Sequence, residues 1–353
     1  VDFRFSEEQL LFRDSLRDVL SKEAAPERIR ELWDSDTGRD PALWRQLGEL
    51  GFIGVLAPEA AGGLGLGETD FVLLAETCGY AALPEPLVET ALAAIPMLAE
   101  LGGDAAAAHL PGLVAGESRI ALGSPFEPFV ADAHVADFLL LPAAEEVHGL
   151  SGAEQAALVH QQSLDPSRRI YRLNWKPEDG TRLAGQEQGK ALWARALNRM
   201  SLGVAAQLLG ATQHMLDLSV QYTSERRQFG VPVGSFQAVK HLLANVAVQL
   251  EFARPVVYRA AWELASGGPL AQLSVSHARI AAGEAALLAA KNCIQAHGAM
   301  GYTWEVDLHI WMKRAWALDR AWGDRIFHRG RVADAVLEKP GAIGPGETFP
   351  PLA

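Results

Sequence analysis

Two strings in the second half of the chain have residue types and spacing suited to holding a charged ligand. The first, Gln221-Tyr-Thr-Ser-Glu-Arg-Arg-Gln-Phe-Gly230, ends a helical stretch in two arginines and a Phe-Gly turn, and Val231-Pro-Val-Gly-Ser-Phe-Gln237 follows it. Guanidinium groups fixed at a loop edge suit a phosphate or pyrophosphate, because the planar fork donates two parallel hydrogen bonds to one anion. The second string, Gln295-Ala-His-Gly-Ala-Met-Gly301, reads as a helix C-terminus whose glycines let a ligand approach the backbone. Taken singly, each also has a plain reading, as a solvated helix end and as a C-cap. The only cysteines, Cys78 and Cys293, show no CxxC and no Cys/His ligand spacing, so neither a disulfide framework nor a metal site is expected. Both read as small buried hydrophobes. The run Gly62-Gly63-Leu64-Gly65-Leu66-Gly67 falls short of a phosphate-cradling GxGxxG, since Glu68 stands at the final glycine. It reads as a turn packed beneath helices.

These strings need helices to position them, and the chain has material for a large core. Its 353 residues suggest two or three subdomains, and hydrophobic residues make up 49% of it. No unbroken apolar stretch reaches the roughly 18 residues of a membrane span. The opening Val1-Asp-Phe-Arg-Phe-Ser-Glu-Glu8 has neither a basic nor an apolar leader region, so a cytoplasmic protein is expected. A net charge of -12 without a basic run argues against a nucleic-acid or anionic-membrane surface.

Ser6-Glu-Glu-Gln9 is a capping box opening a helix, with Leu10, Phe12, Leu16, Val19 and Leu20 as its apolar stripe. Asp40-Pro41 starts another, leading into Leu43, Trp44, Leu47 and Leu50. A third helix runs from Glu68 to about Cys78. Between Arg119 and Ala184 short β-like runs replace the helical period, including Ile120–Leu122, Phe138–Leu141 and Arg169–Trp175. Helical periodicity returns after Gly189 and lasts to about Leu337, enough for four long helices. The expected fold is mainly α: a helical domain over 1–116, a reduced β domain over 117–188, a helical bundle over 189–337 and a flexible tail over 338–353.

The two ligand strings, with Phe5-Ser-Glu-Glu-Gln9 and Pro58-Glu-Ala-Ala-Gly-Gly-Leu-Gly-Leu66, stand in an order that resembles the acyl-CoA dehydrogenase family over nearly the whole chain. The resemblance implies a helical N-terminal domain, a β middle domain, a C-terminal four-helix bundle and a tetramer built from dimers. It implies FAD bound at a dimer interface, α,β-desaturation of an acyl-CoA thioester, and transfer of electrons to an electron-transfer flavoprotein. Residue by residue, Arg226 matches the arginine that reaches the neighbouring subunit's FAD pyrophosphate. Gln228 and Phe229 match its adjoining contacts, Gln237 a glutamine near the adenosine, and Gln295 and Gly298 a loop that serves the FAD across the interface. Ala299 replaces that loop's second glycine, and His297 reads as structural.

The pattern breaks where the chemistry should be. Desaturation needs a carboxylate to take the α-proton while hydride leaves Cβ for the flavin. Most family members carry that Glu 21 residues beyond the glycine matching Gly301, where this chain has Trp322 followed by Gly323. Other branches carry it 26 residues before the flavin arginine, where this chain has Met200. Asp324 is the nearest carboxylate, and a shift of two positions on a continuous helix would turn it about 200° away. Glu305 and Asp307 read as solvated. Two middle-domain strings that hold the flavin ring in the family are also missing from Ile120–Phe138.

Two functions are therefore expected. In one, the chain is a non-catalytic companion that completes the FAD site of a catalytic acyl-CoA dehydrogenase subunit in a heterotetramer, an arrangement known among actinobacterial family members, including those acting on sterol side chains. In the other, it is a self-sufficient homo-oligomer using Asp324 or a base not recognised in the sequence. Neither reading specifies the acyl chain.

Overall fold

The computed structural model describes residues 4–152 and 157–338. The flexible tail expected over 338–353 lies, but for Glu338, outside the described residues. The first third is helical: α1 (Glu7–Glu23), α2 (Pro26–Asp34), α3 (Pro41–Glu49), α4 (Glu68–Tyr80), α5 (Leu87–Glu89), α6 (Ile95–Leu101) and α7 (Gly103–Val114). Local chemistry sets the starts. The Ser6 hydroxyl accepts from the Gln9 amide at 3.2 Å while the Gln9 side chain accepts from the Ser6 amide at 2.9 Å. Asp40 caps α3 through the amides of Ala42 and Leu43, with Pro41 in the first turn. Thr90–Ala94 form a wider π turn between α5 and α6.

The glycine-rich run is not beneath helices. It lies along the surface of residues 54–57, where Leu64, Gly65 and Leu66 donate to the carbonyls of Gly54, Ala57 and Val55. Its two leucines remain 42% exposed.

The middle region holds β1 (Ile120–Leu122), β2 (Val130–Ala131), β3 (Phe138–Ala143), β4 (Glu146–Ser151), β5 (Ala157–Gln161), β6 (Ile170–Asn174) and β7 (Arg182–Ala184). They make two sheets, ordered β1-β3-β4-β7 and β2-β6-β5. Among the described residues only β1 and β3 pair in parallel, with Ile120 opposite Phe138. Side-chain alternation divides the first sheet's residues between two cores. Ala121, Leu139, Leu141 and Leu150 join a small core with residues of the second sheet. Ile120, Leu122, Phe138, Leu140 and Val147 belong to the main helical core.

The C-terminal part contains α8 (Gln186–Glu225), the short strands β8 (Arg227–Gln228) and β9 (Val231–Pro232), α9 (Gln237–Ala265), α10 (Ala271–His297), α11 (Leu308–Leu318) and α12 (Arg325–Leu337). Helix α8 crosses α4 at backbone contact. A Cβ added at Gly210 would meet the Glu76 carbonyl at 1.9 Å, and one at Gly79 the Gln207 carbonyl at 2.0 Å. Three helices of the bundle are long, and the fourth is divided into α11 and α12. Trp322 and Gly323 take left-handed backbone angles, φ 57° and 87°, between α11 and α12, and no α-helix continues through two such residues.

Buried ion pairs fix the sheets against the helices. Arg314 of α11 bonds the Asp165 carboxylate and donates to the Leu83 carbonyl at 2.8 Å. Arg39 bonds Asp132 and the Ser167 carbonyl. Pairs of this kind specify an arrangement more than they add net stability, since desolvation offsets much of their attraction.

Candidate functional site

The segments carrying Arg226, Gln237 and Gln295 meet at one end of the bundle. The Tyr222 and His297 rings stack at 4.3 Å, joining the last turns of α8 and α10. Asn292 donates to the Leu242 carbonyl at 2.9 Å and ties α10 to the start of α9. Gly234 packs its backbone on α8, where a Cβ would meet the Thr223 carbonyl at 3.0 Å. Beside this contact is a cavity of about 380 Å³ lined by Val220, Thr223, Ser224, Pro232, Val239 and Lys240. His297 is buried and donates from Nδ1 to the Cys293 carbonyl at 2.8 Å, and burial lowers its pKa.

The side chains at this end face outward. Arg226, Gln228, Phe229, Gln237, Gln295 and Gly298 are all exposed. Arg226 caps α8 with extended backbone, and the following β8–β9 hairpin turns through Phe229 and Gly230 at φ 53° and 80°. Two positive φ values at the centre of a two-residue hairpin suit Asn-Gly, whereas a phenylalanine there is strained. At this hairpin tip Phe229 stands 92% exposed. The first turn of α9 has no side-chain cap. A guanidinium, an uncapped helix N-terminus and carboxamides thus share a donor-rich surface that fits an anionic dinucleotide such as FAD. Gly298, at φ 61°, has open space where a Cβ would stand.

The region around the expected base position is closed. Trp322 is 6% exposed and lines a cavity of only about 30 Å³ with Pro86, Glu89, Ile120, Glu127 and Phe129, room for little more than water. A larger cleft of about 660 Å³ opens on the other side of Glu127 and Phe129, toward Arg168, Leu287, Trp316, Arg320 and Arg325. Met200, the other position at which a base was sought, is fully buried in α8. Asp324 is the N-cap of α12. Its carboxylate accepts from the Phe327 amide at 2.9 Å and lies 3.6 Å from Arg320. The helix expected to run through it ends at Leu318, so the break rather than a helical rotation fixes where Asp324 points.

The residues that the sequence reading missed here are Glu89 and Glu127, two carboxylates beside Trp322. Glu127 Oε1 accepts from the Trp322 amide at 2.6 Å. The π turn that follows Glu89 was a usable signal only in three dimensions, because such turns cluster at functional sites. Behind Trp322, burial lowers the His328 pKa to about 3, with Arg279 and Arg331 adding to the effect. Burial likewise lowers the Arg279 pKa to about 10, against the pull of Asp319. No group of His, Cys, Asp and Glu among the described residues could hold a metal ion. None of the described helices is long and apolar enough to cross a membrane.

Comparison with known proteins finds relatives along most of the chain. Residues 6–117 match the family description "Acyl-CoA dehydrogenase, N-terminal domain" and residues 187–337 match "Acyl-CoA dehydrogenase, C-terminal domain". The chain is 33% identical over 311 residues to the acyl-CoA dehydrogenase IpdE2 of Mycobacterium tuberculosis, covering 88% of this chain and 91% of that protein. It is 27% identical to a glutaryl-CoA dehydrogenase of Desulfococcus multivorans, covering 86% and 90%. A chain of the ChsE4-ChsE5 complex from Mycobacterium tuberculosis shares the fold, with a TM-score of 0.83 and 23% identity over 96% of this chain and 99% of that one. Matched at both ends by the family and along most of its length by IpdE2, the chain belongs to the acyl-CoA dehydrogenase family.

Proposed function

We propose that this chain is the non-catalytic companion of a catalytic acyl-CoA dehydrogenase subunit, and that the two act together on an acyl-CoA thioester in the cytoplasm. The observation that carries the reading is Trp322, an indole buried where the family places its proton-abstracting carboxylate. An indole cannot accept the α-proton, and Met200 cannot either. The donor surface at the bundle end supports the other half of the proposal. Arg226 would hold the pyrophosphate of FAD bound mainly by the partner, with Gln228, Phe229, Gln237, Gln295 and Gly298 against its remaining length. FAD, when bound, supplies the hydride acceptor, and an electron-transfer flavoprotein would take the electrons onward. The partner would contribute the base and the acyl pocket. A self-sufficient homo-oligomer would use Asp324, whose carboxylate is engaged in capping α12, or one of the carboxylates beside Trp322, of which Glu127 is engaged by the Trp322 amide.

The test is the 450 nm flavin absorbance of the chain expressed alone and co-expressed with acyl-CoA dehydrogenase chains of its own genome. Flavin and desaturase activity only on co-expression is the expected result. Stoichiometric flavin with turnover from the lone chain would overturn the proposal.

A further inference from the structure

The turn carrying Trp322 is held from two sides by groups that the proposed function does not use. From behind, the fully buried Arg279 of α10 brings Nη2 within 3.1–3.3 Å of the carbonyls of Leu318, Asp319, Ala321 and Gly323. One nitrogen with two N–H bonds cannot serve four acceptors at once, so it shares its donors over the turn. His328 donates from Nε2 to the Trp322 carbonyl at 3.3 Å, and its Nδ1 lies 3.2 Å from the Ser276 hydroxyl.

From the front, the loop between β1 and β2 reaches across. Its Glu127 carboxylate takes the Trp322 amide at 2.6 Å, and its Phe126 ring meets Phe327 of α12 at 5.3 Å. Glu127, Phe129, Arg168 and Ile170 line both the cavity of about 30 Å³ and the cleft of about 660 Å³. They are the wall between the two. A left-handed Trp persists only where its surroundings over-determine it, and these contacts do so.

We infer that Glu127 and Arg279 are positioning residues that lock Trp322 as a plug, filling the space behind the wall of Glu127 and Phe129 so that an acyl chain or a planar ring entering the cleft of about 660 Å³ stops at that wall. This deepens the companion reading and rests on it for the plug's purpose. It specifies that the chain's site is closed by construction, beyond the loss of its base. Glu127 acts as the latch from the middle region, and Arg279 fixes the turn on which the latch closes.

The experiment uses the full chain in the assembly it forms and reads amide exchange and ligand-induced stabilisation. Neither depends on flavin or turnover, so failure of the plug and failure of the companion reading are distinguishable. Glu127→Ala should accelerate exchange in residues 318–323 by about 10- to 100-fold, as loss of a charge-assisted hydrogen bond implies, while the centre of α8 stays protected. Glu127→Gln keeps an acceptor oxygen and should restore most of the protection. Trp322→Gly suits the left-handed backbone and leaves an indole-sized void. Indole at millimolar concentration should raise the Tm of Trp322→Gly by about 2 °C or more and leave the parent protein unchanged. Exchange in 318–323 within twofold of the parent in Glu127→Ala overturns the latch. An equal response to indole in the two proteins, whether both shift or neither does, overturns the plug.

Discussion

The bundle end and the closed region around Trp322 are built in opposite ways. At the bundle end, Arg226, Gln237 and Gln295 are exposed, and none of their side chains has a hydrogen-bonding partner among the described residues. Around Trp322 the polar groups that hold the turn are bound within the chain: Arg279 Nη2 shared over four carbonyls, His328 to Trp322, Glu127 to the Trp322 amide and Asp324 to the start of α12. Donors left without partners at a surface are available to something outside the chain. Donors consumed inside hold a shape. On the companion reading proposed above, the first surface serves a neighbouring site and the second closes the chain's own.

The largest effect expected from this contrast is at Arg226. Arg226→Ala removes a charge-assisted contact to phosphate, so flavin retention in the assembled complex should fall about 10- to 100-fold, while the isolated chain melts as before. Gel filtration followed by flavin absorbance per complex reads it, and undiminished flavin would break the comparison.

Acid should act on the closed part of the molecule. Burial lowers the pKa of His214, stacked 3.6 Å from Trp311, to about 4, and that of His328 to about 3. Both lie below the unfolded value near 6.5, so between these limits the unfolded chain binds more protons. The stabilisation is therefore fully present above pH 6.5 and is lost as pH falls toward 4 and 3. Each histidine contributes a slope of about 1.4 kcal/mol per pH unit in that window. Urea unfolding at pH 7, 6 and 5 should show it, and His328→Asn should reduce the slope by about one such increment.

A smaller change sharpens the other side. Phe229→Asn relieves the left-handed strain of the β8–β9 hairpin and should stabilise the isolated chain by up to about 1 kcal/mol. It also removes the exposed ring, so the complex should hold flavin less well. A simultaneous gain in both would argue that Phe229 contacts nothing beyond its own chain.

The smallest effect is expected at Asp324. Asn caps helices about as well as Asp, so Asp324→Asn should be silent in both stability and turnover, whereas Asp324→Ala should cost about 1 kcal/mol. A large fall in turnover for Asp324→Asn, with the assembly and flavin intact, would assign this chain an active site of its own.

What the sequence determined by itself was local or a matter of residue identity. Ser6 with Gln9 and Asp40 with Pro41 name their helix starts because caps act within one turn. The strings at Arg226 and Gln295 are legible because each lies at the end of a single element. Trp322 and Met200 cannot be bases in any fold. Tertiary structure decided the rest. The left-handed Trp322 that, with Gly323, divides the last helix has no signal in its residue type, since tryptophan seldom adopts that conformation unaided. Asp324 became a cap only because of that break. Glu127 meets Trp322 from 195 positions away, and the meeting depends on Arg314–Asp165 and Arg39–Asp132 holding the sheets against the helices. Periodicity records which face of an element is buried and not what it is buried against. The closure of the space around Trp322, unlike the identity of the residue at that position, is therefore a property of the assembled fold.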